Sequence, residues 1–260
     1  MVAVKQKLSS NYNVLTPLQK AIFAAGLFIV GQVAYIGFEP SQIWILLLTA
    51  GIAFFAVMST GSDTSNSLFD LLITAVLPVI GIIAGGLFVK TQFGGYEASF
   101  IAIGVGLLGG LLIYIQSLEY TYDGKRKPKL RVLLLLLTYP IAFSLFHYVE
   151  ELSLNLPLNS IACGLIAFLL GFEIFRTRMK NDQVLFLLCL VSALSIVQIR
   201  LVLFFFPLDP LILSALILIA FYTTTGLLIR FSQIEKKFLS FIEYSLLAGL
   251  AIAGLLVFWV

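Results

Sequence analysis

Apolar residues in this chain form long blocks that are separated by short polar segments. A helix that crosses the hydrocarbon core of a bilayer, about 30 Å thick, needs about 20 apolar residues at a rise of about 1.5 Å each. Nine blocks approach this length, and each predicts one membrane-spanning helix. They comprise residues 21–37, 41–58, 68–89, 98–115, 131–148, 159–175, 184–206, 211–229 and 241–260. The pattern predicts an all-α, polytopic transmembrane helix bundle of about nine spans.

Helix-start signals refine two of these boundaries. Thr16 and Gln19 form the pattern of a capping box, and Pro17 stands at the first helical position between them. We therefore expect the first helix to begin before its apolar block. Asp209 followed by Pro210 has the same chemistry and predicts the start of the eighth span.

The distribution of basic residues predicts the orientation in the membrane, because Lys and Arg concentrate in cytoplasmic loops. With nine spans, 14 of the 16 basic residues fall on one side, and only Lys90 and Arg200 fall on the other. We expect residues 1–20 to form a cytoplasmic arm and residues 21–260 to form a single transmembrane domain with its C-terminus outside. A re-entrant hairpin in place of the first two spans would leave seven crossings and the same orientation.

The composition excludes the soluble classes of protein. Hydrophobic residues make up 60% of the chain and charged residues only 11%, against about a quarter charged in soluble domains. The connections between predicted spans leave no room for a soluble domain, and no nucleotide-binding or metalloprotease motif is present. We expect membrane lipids as partners, no cofactor, no metal and no nucleic acid. The predicted location is a bacterial-type cytoplasmic (inner) membrane.

Four ionisable residues are expected near the outer face, at the ends of the fifth and seventh spans: His147, Glu150, Glu151 and Arg200. Arginine binds phosphates and carboxylates through paired N–H groups, and histidine or glutamate transfers protons. These residues are therefore the candidate catalytic residues of an enzyme acting on a lipid-linked anionic substrate at the outer leaflet. In the alternative interpretation, Arg200 pairs with Glu150 or Glu151 and holds the two spans together.

Glycines at a spacing of four residues occur in the third and fourth spans, as Gly81 and Gly85 and as Gly106 and Gly110. Small residues at this spacing allow helix backbones to approach closely. The pattern predicts tight packing of these spans within the chain. The same glycines are also candidates for self-association or for contact with a protein partner.

Three functions remain open from the sequence. The leading hypothesis is a non-enzymatic scaffold, assembly factor or lipid-associated component. The second is the outer-leaflet enzyme described above, and the sequence does not decide whether the chain is an enzyme. The third is an uncoupled facilitator for a small solute, which requires a continuous polar path, for example through Gln32 and Thr224. The middle of the predicted spans contains no ionisable residue, which disfavours an ion-coupled carrier.

Overall fold

A computed structural model describes most of the chain. The described residues are 16–37, 43–61, 68–121, 127–176 and 182–232, with the isolated positions Leu246, Gly249 and Ala253. All regular secondary structure within these ranges is α-helical. Apart from those three isolated positions, the predicted ninth span lies outside the described residues, as does most of the predicted cytoplasmic arm.

Eight helices follow one another along the described chain. They are α1 (Pro17–Gly37), α2 (Ile43–Gly61), α3 (Leu68–Gln92), α4 (Gly95–Thr121), α5 (Lys127–Glu151), α6 (Leu156–Arg176), α7 (Asp182–Leu203) and α8 (Pro210–Ser232). Among the described residues, seven of these helices are long and apolar enough to cross a membrane, and α2 contributes a shorter apolar stretch, Ile43–Val57. The structure confirms a polytopic helical membrane protein. The total of nine spans and the orientation of the termini stay predictions.

The predicted capping box is present at the start of α1. The N–H of Thr16 donates to Gln19 Oε1 at 2.9 Å, and the N–H of Gln19 donates to Thr16 Oγ1 at 3.3 Å. Two backbone donors that would otherwise lack a partner at a helix start are satisfied in this way. Helix α1 begins at Pro17, and α8 begins at Pro210, directly after Asp209, as the sequence predicts.

The predicted end of the seventh span was three residues too late. The apolar block runs to Phe206, but α7 ends at Leu203. The next residues form a turn in which the N–H of Phe206 donates to the Leu203 carbonyl at 3.1 Å. Pro207 gives the physical reason, because a proline disfavours helical backbone at the residue before it.

The first helix packs against α4, which is not its neighbour in the chain. A methyl group at Gly106 would lie only 2.7 Å from the backbone nitrogen of Ile29, and one at Gly110 would collide with the side chain of Ala25. Phe28 is fully buried in the same interface. The two glycines therefore allow the backbones of α1 and α4 to approach closely.

The predicted close approach of α3 and α4 is present at Gly85. A methyl group there would collide with the side chain of Val105 on α4. At Gly81 it would lie 3.0 Å from Cδ1 of Ile141 on α5. The glycine pattern thus serves packing within the chain, and association with another chain through the same residues stays a prediction.

A buried amide joins α1 to α3. Gln32 is fully buried, and its Nε2 donates to the Ile82 carbonyl at 2.8 Å. Gly86 makes room for the amide, because a methyl group at that position would lie 2.6 Å from Gln32 Oε1. The polar side chain is therefore used to hold two helices together.

The largest apolar core lies among the last four described helices, α5 to α8, and it receives further side chains from α3 and α4. Phe146 of α5 and Phe221 of α8 are fully buried in it, with their rings edge to face and the centroids 6.0 Å apart. A smaller core joins the first four helices around Phe28 and Ile82. The candidate functional residues lie at one end of the larger core.

Candidate functional site

A short turn brings the end of α5 beside the start of α6. Residues 152–155 connect the two helices, and Ser153 adopts a positive φ of 49°. The N–H of Ser153 donates to the Glu150 carbonyl at 3.2 Å, which helps to close the turn. As a result, Glu150 in the last turn of α5 lies next to Asn159 in the first turn of α6.

Glu150 forms a buried ion pair with Arg200 of α7. Arg200 Nε donates to Glu150 Oε1 at 2.6 Å, and Nη2 donates to Oε2 at 2.8 Å. Only 6% of Arg200 and 7% of Glu150 are exposed. Two parallel N–H···O bonds between opposite charges are among the strong and directional interactions in proteins. The pair therefore joins the ends of α5 and α7.

Two side chains of α6 complete the surroundings of the carboxylate. Asn159 Nδ2 lies 3.3 Å from Glu150 Oε2 and 3.4 Å from the Val149 carbonyl. The Cys163 thiol lies 3.9 Å from Glu150 Oε1 and 3.6 Å from Asn159 Oδ1. We call Glu150, Asn159, Cys163 and Arg200 the Glu150 cluster. Among the described residues, no acceptor is hydrogen-bonded to Arg200 Nη1.

A glycine on α6 allows α7 to approach the cluster. A methyl group at Gly164 would lie 2.5 Å from Cγ2 of Val197 and 3.4 Å from the carbonyl oxygen of Ala193. Val197 precedes Arg200 by about one helical turn. The missing side chain at Gly164 therefore permits the close packing that places Arg200 within reach of Glu150.

His147 belongs to a second polar group, between α5 and α8. Its Nδ1 lies 3.5 Å from Ser214 Oγ, and its Nε2 lies 3.7 Å from Glu151 Oε1. The imidazole stacks on the ring of Phe143, with the centroids 6.1 Å apart. His147 and Ser214 are buried, whereas 42% of the Glu151 side chain is exposed. Ser214 also donates to the Leu211 carbonyl at 2.8 Å.

The four residues singled out in the sequence lie at one end of the bundle, but they form two groups. Arg200 pairs with Glu150, and His147 lies against Glu151. The sequence left Arg200 a choice between two adjacent glutamates, and the structure pairs it with Glu150. The sequence pattern did not identify Asn159 and Ser214 as members of these groups. Their only signal in the sequence is that each is a polar residue in the first turns of an apolar helix.

Other polar and sulfur groups lie apart from these residues. At the opposite end of α6, Arg176 Nη2 donates to Glu173 Oε1 at 3.0 Å, as their spacing of three residues suggests. Cys189 is buried, and neither it nor Cys163 of the Glu150 cluster forms a disulfide. Within the described part of the chain, no three His, Cys, Asp or Glu side chains are grouped so that they could hold a metal ion.

The chain matches a known protein family. Residues 58–259 match the family described as "Protein of unknown function (DUF5656)". The matched region contains α3 to α8, and therefore both polar groups, whereas α1 and almost all of α2 precede it. No curated protein and no solved structure matches the chain. Because the matched residues make up well over half of its length, the chain belongs to the DUF5656 family.

Proposed function

We propose that this integral membrane protein is a non-enzymatic scaffold, assembly factor or lipid-associated component. The observation that supports this function is the closed pair of Arg200 and Glu150. Both oxygens of the carboxylate accept a hydrogen bond from the guanidinium, and Asn159 also contacts Oε2. Because the guanidinium and the carboxylate already bind each other, the pair is better suited to connecting helices than to binding an anionic substrate.

The energetics of buried charge support the same interpretation. A single charged side chain at the middle of the hydrocarbon layer costs on the order of 2.5 to 3.5 kcal/mol or more. Removing one partner of a buried pair destabilises by about 3 to 5 kcal/mol, because the remaining charge has no compensation. The Glu150 cluster is therefore suited to holding α5, α6 and α7 in one arrangement.

The test compares the parent protein with Arg200→Met and Glu151→Gln. Each is purified in the same detergent, and its melting temperature and its co-purified lipids are measured, the latter by native mass spectrometry. Glu151→Gln is the matched control, because its side chain is 42% exposed and lies outside the Glu150 cluster. We expect Arg200→Met to melt several degrees lower with unchanged lipids. Parent-like melting together with loss of a specific lipid would instead support an anion-binding site at Arg200.

A second candidate function is an enzyme acting on a lipid-linked anionic substrate at the outer leaflet. It is favoured by the position of His147 between the Ser214 hydroxyl and the partly exposed Glu151 carboxylate. A hydroxyl, an imidazole and a carboxylate are the groups of nucleophilic and acid–base catalysis. The enzyme predicts that His147→Gln keeps the melting temperature but changes the masses of the co-purified lipids. A lower melting temperature with unchanged lipids would argue against it.

The third candidate, an uncoupled facilitator, has less support from the described residues. Gln32, which would line its polar path, is buried and donates to the backbone of α3.

The proposed location is a bacterial-type cytoplasmic membrane with the N-terminus inside. The unequal distribution of Lys and Arg along the chain supports this orientation.

A further inference from the structure

His147 is the only histidine in the chain, and its ring is held between aromatic neighbours. The imidazole stacks on Phe143, with the ring planes 9° apart, and it lies edge to face with Phe88 of α3, with the centroids 5.7 Å apart. Only 1% of the residue is exposed. The packing therefore fixes the partner that each ring nitrogen faces.

Ser214 determines which ring nitrogen carries a proton. A serine hydroxyl has a single proton, and that of Ser214 is donated to the Leu211 carbonyl at 2.8 Å. The same oxygen lies 3.5 Å from His147 Nδ1, where it has only a lone pair to offer. Nδ1 is therefore the donor in this contact. Because a neutral imidazole carries one proton, Nε2 is left with a lone pair.

The Nε2 lone pair faces another group that has only lone pairs. Nε2 lies 3.7 Å from Glu151 Oε1, and an ionised carboxylate is purely an acceptor. Within the described ranges, Nε2 is buried and has no hydrogen-bond partner. Two acceptors that face each other in this way are unfavourable, because a buried polar atom is left unsatisfied. One additional proton between them would convert the contact into a hydrogen bond.

A proton fits this position better than a metal ion. Zinc sites generally use three or more protein ligands, and the described residues contain no group of three His, Cys, Asp or Glu side chains that could provide them. Glu151 gives access from water, because 42% of its side chain is exposed whereas the ring beyond it is buried. A proton from water can therefore reach the carboxylate first and the ring through it.

Glu151 is the carboxylate that forms an ion pair with His147 among the described residues. Helix α5 packs against α3, α4, α6 and α8. The other charged or titratable side chains at this end of the described bundle are Tyr35, Lys90, Tyr96, Glu97, Tyr148, Glu150, Cys163, Arg200 and Asp209. Glu150 and Arg200 bind each other, and Lys90 Nζ donates to the Tyr35 carbonyl at 3.0 Å. We therefore expect Glu151 to have the largest influence on the protonation of His147.

We propose that His147 and Glu151 form a proton-binding site, in which one proton is shared between Nε2 and Oε1 while Ser214 accepts a hydrogen bond from Nδ1. A proton from water binds the carboxylate. It either stays on Oε1 and is donated to the Nε2 lone pair, or passes to Nε2 and leaves the carboxylate charged. In both forms the pair gains one proton and one positive charge. The hydrogen bond between Glu151 and the ring is therefore made at low pH and lost at high pH.

The proton site uses the residues of the second candidate function in a different way. An enzyme in which His147 activates the Ser214 hydroxyl needs a lone pair on Nδ1, whereas in the proton site Nδ1 carries hydrogen. The position of one proton thus separates the two. The site contains no residue of the Glu150 cluster, so it does not depend on the proposed scaffold function, which is tested by the melting of Arg200→Met.

The experiment locates the ring protons by nitrogen-15 NMR. Because the chain has a single histidine, protein labelled with nitrogen-15 histidine and purified without a histidine tag gives one pair of ring signals. The protein is studied in vesicles of dioleoyl phosphatidylglycerol and dioleoyl phosphatidylethanolamine. At about pH 9, where an ordinary histidine is neutral, we expect a protonated Nδ1 and a bare Nε2. On acidification Nε2 should gain a proton while Nδ1 keeps its own.

Two variants test the part played by Glu151. Glu151→Gln removes the charge beside the ring at a partly exposed position. At one acidic pH, we expect its ratio of protonated to bare Nε2 to be lower than that of the parent by about tenfold or more, because a nearby opposite charge favours the imidazolium. Glu97→Gln is the matched control, since it removes the same charge from an exposed position in the first turn of α4 and should leave the ratio unchanged.

Three results would overturn the proposal. A protonated Nε2 with a bare Nδ1 in the parent at about pH 9 would leave the lone pair that the enzyme requires. Equal ratios in the parent and in Glu151→Gln would show that the carboxylate does not share the proton. An Nε2 signal that changes when a metal chelator is added would show that a metal ion occupies the site instead.

Discussion

Arg200 and Glu150 are separated by 50 positions in the chain, yet their side chains form two short hydrogen bonds between α7 and α5. Asn159 of α6 contacts the same carboxylate, so three helices meet at one buried charge pair. Each charge depends on the other, because neither can be left alone in an apolar environment without a large desolvation penalty. This dependence makes the pair open to a direct test.

Replacing both charges should be less harmful than replacing one. We expect Arg200→Met to lower the free energy of unfolding by about 3 to 5 kcal/mol, and the double variant Glu150→Leu with Arg200→Met to recover much of that loss. The measurement is reversible unfolding of the purified proteins in detergent. If the double variant is as unstable as Arg200→Met, the uncompensated Glu150 carboxylate is not the cause of the lower stability.

Asn159 should contribute through its contacts with Glu150 and with the Val149 carbonyl. We expect Asn159→Ala to lower the free energy of unfolding by about 1 to 2 kcal/mol, because buried partners lose a donor. Ser160→Ala is the matched control, since this neighbouring buried hydroxyl donates only to the Leu156 carbonyl of its own helix. Equal effects of the two substitutions in thermal unfolding would contradict the role given to Asn159.

Two glycines of α4 should respond in opposite ways to the same substitution. Gly106→Ala places a methyl group against the backbone of Ile29 and should destabilise the bundle, whereas Gly104 has open space around it. We expect Gly104→Ala to be neutral or to stabilise by up to about 1 kcal/mol, because alanine is the better helix former. Melting temperatures measured side by side check this, and a stabilised Gly106→Ala would refute the close contact of α1 with α4.

The nine-span topology predicts opposite locations for the two ends of the chain. A reporter that is active only outside the cytoplasm should be active when fused after Val260 and inactive when fused before Met1. The physical reason is the concentration of Lys and Arg in alternate loops. An inactive reporter after Val260 would exclude an odd number of crossings with a cytoplasmic N-terminus.

Local chemistry in the sequence predicted the features that depend on neighbouring residues. The capping box of Thr16 and Gln19 involves residues three positions apart, so helix geometry alone brings them together. The lengths of the apolar blocks likewise predicted the eight described helices, since bilayer thickness sets the required length.

Contacts between helices that are distant in the chain could not be predicted from the sequence. Glu150 and Glu151 are adjacent and chemically equivalent, and only the direction in which each faces decides which one meets Arg200. Gly85 and Gly106 each belong to a pair of glycines four residues apart, yet Gly85 lies against Val105 of α4 and Gly106 lies against Ile29 of α1, and only the arrangement of the helices decides this.

The family match begins at residue 58, but the helices that pack against the matched region begin earlier, with α1. α1 precedes the matched region, and it covers the α4 backbone at Gly106 and Gly110, which lie within it. A chain that started at residue 58 would present this glycine strip directly to lipid, with no side chains of its own to shield the helix. Helix α1 therefore shields this face of α4 within the matched region, and an expression fragment should include it.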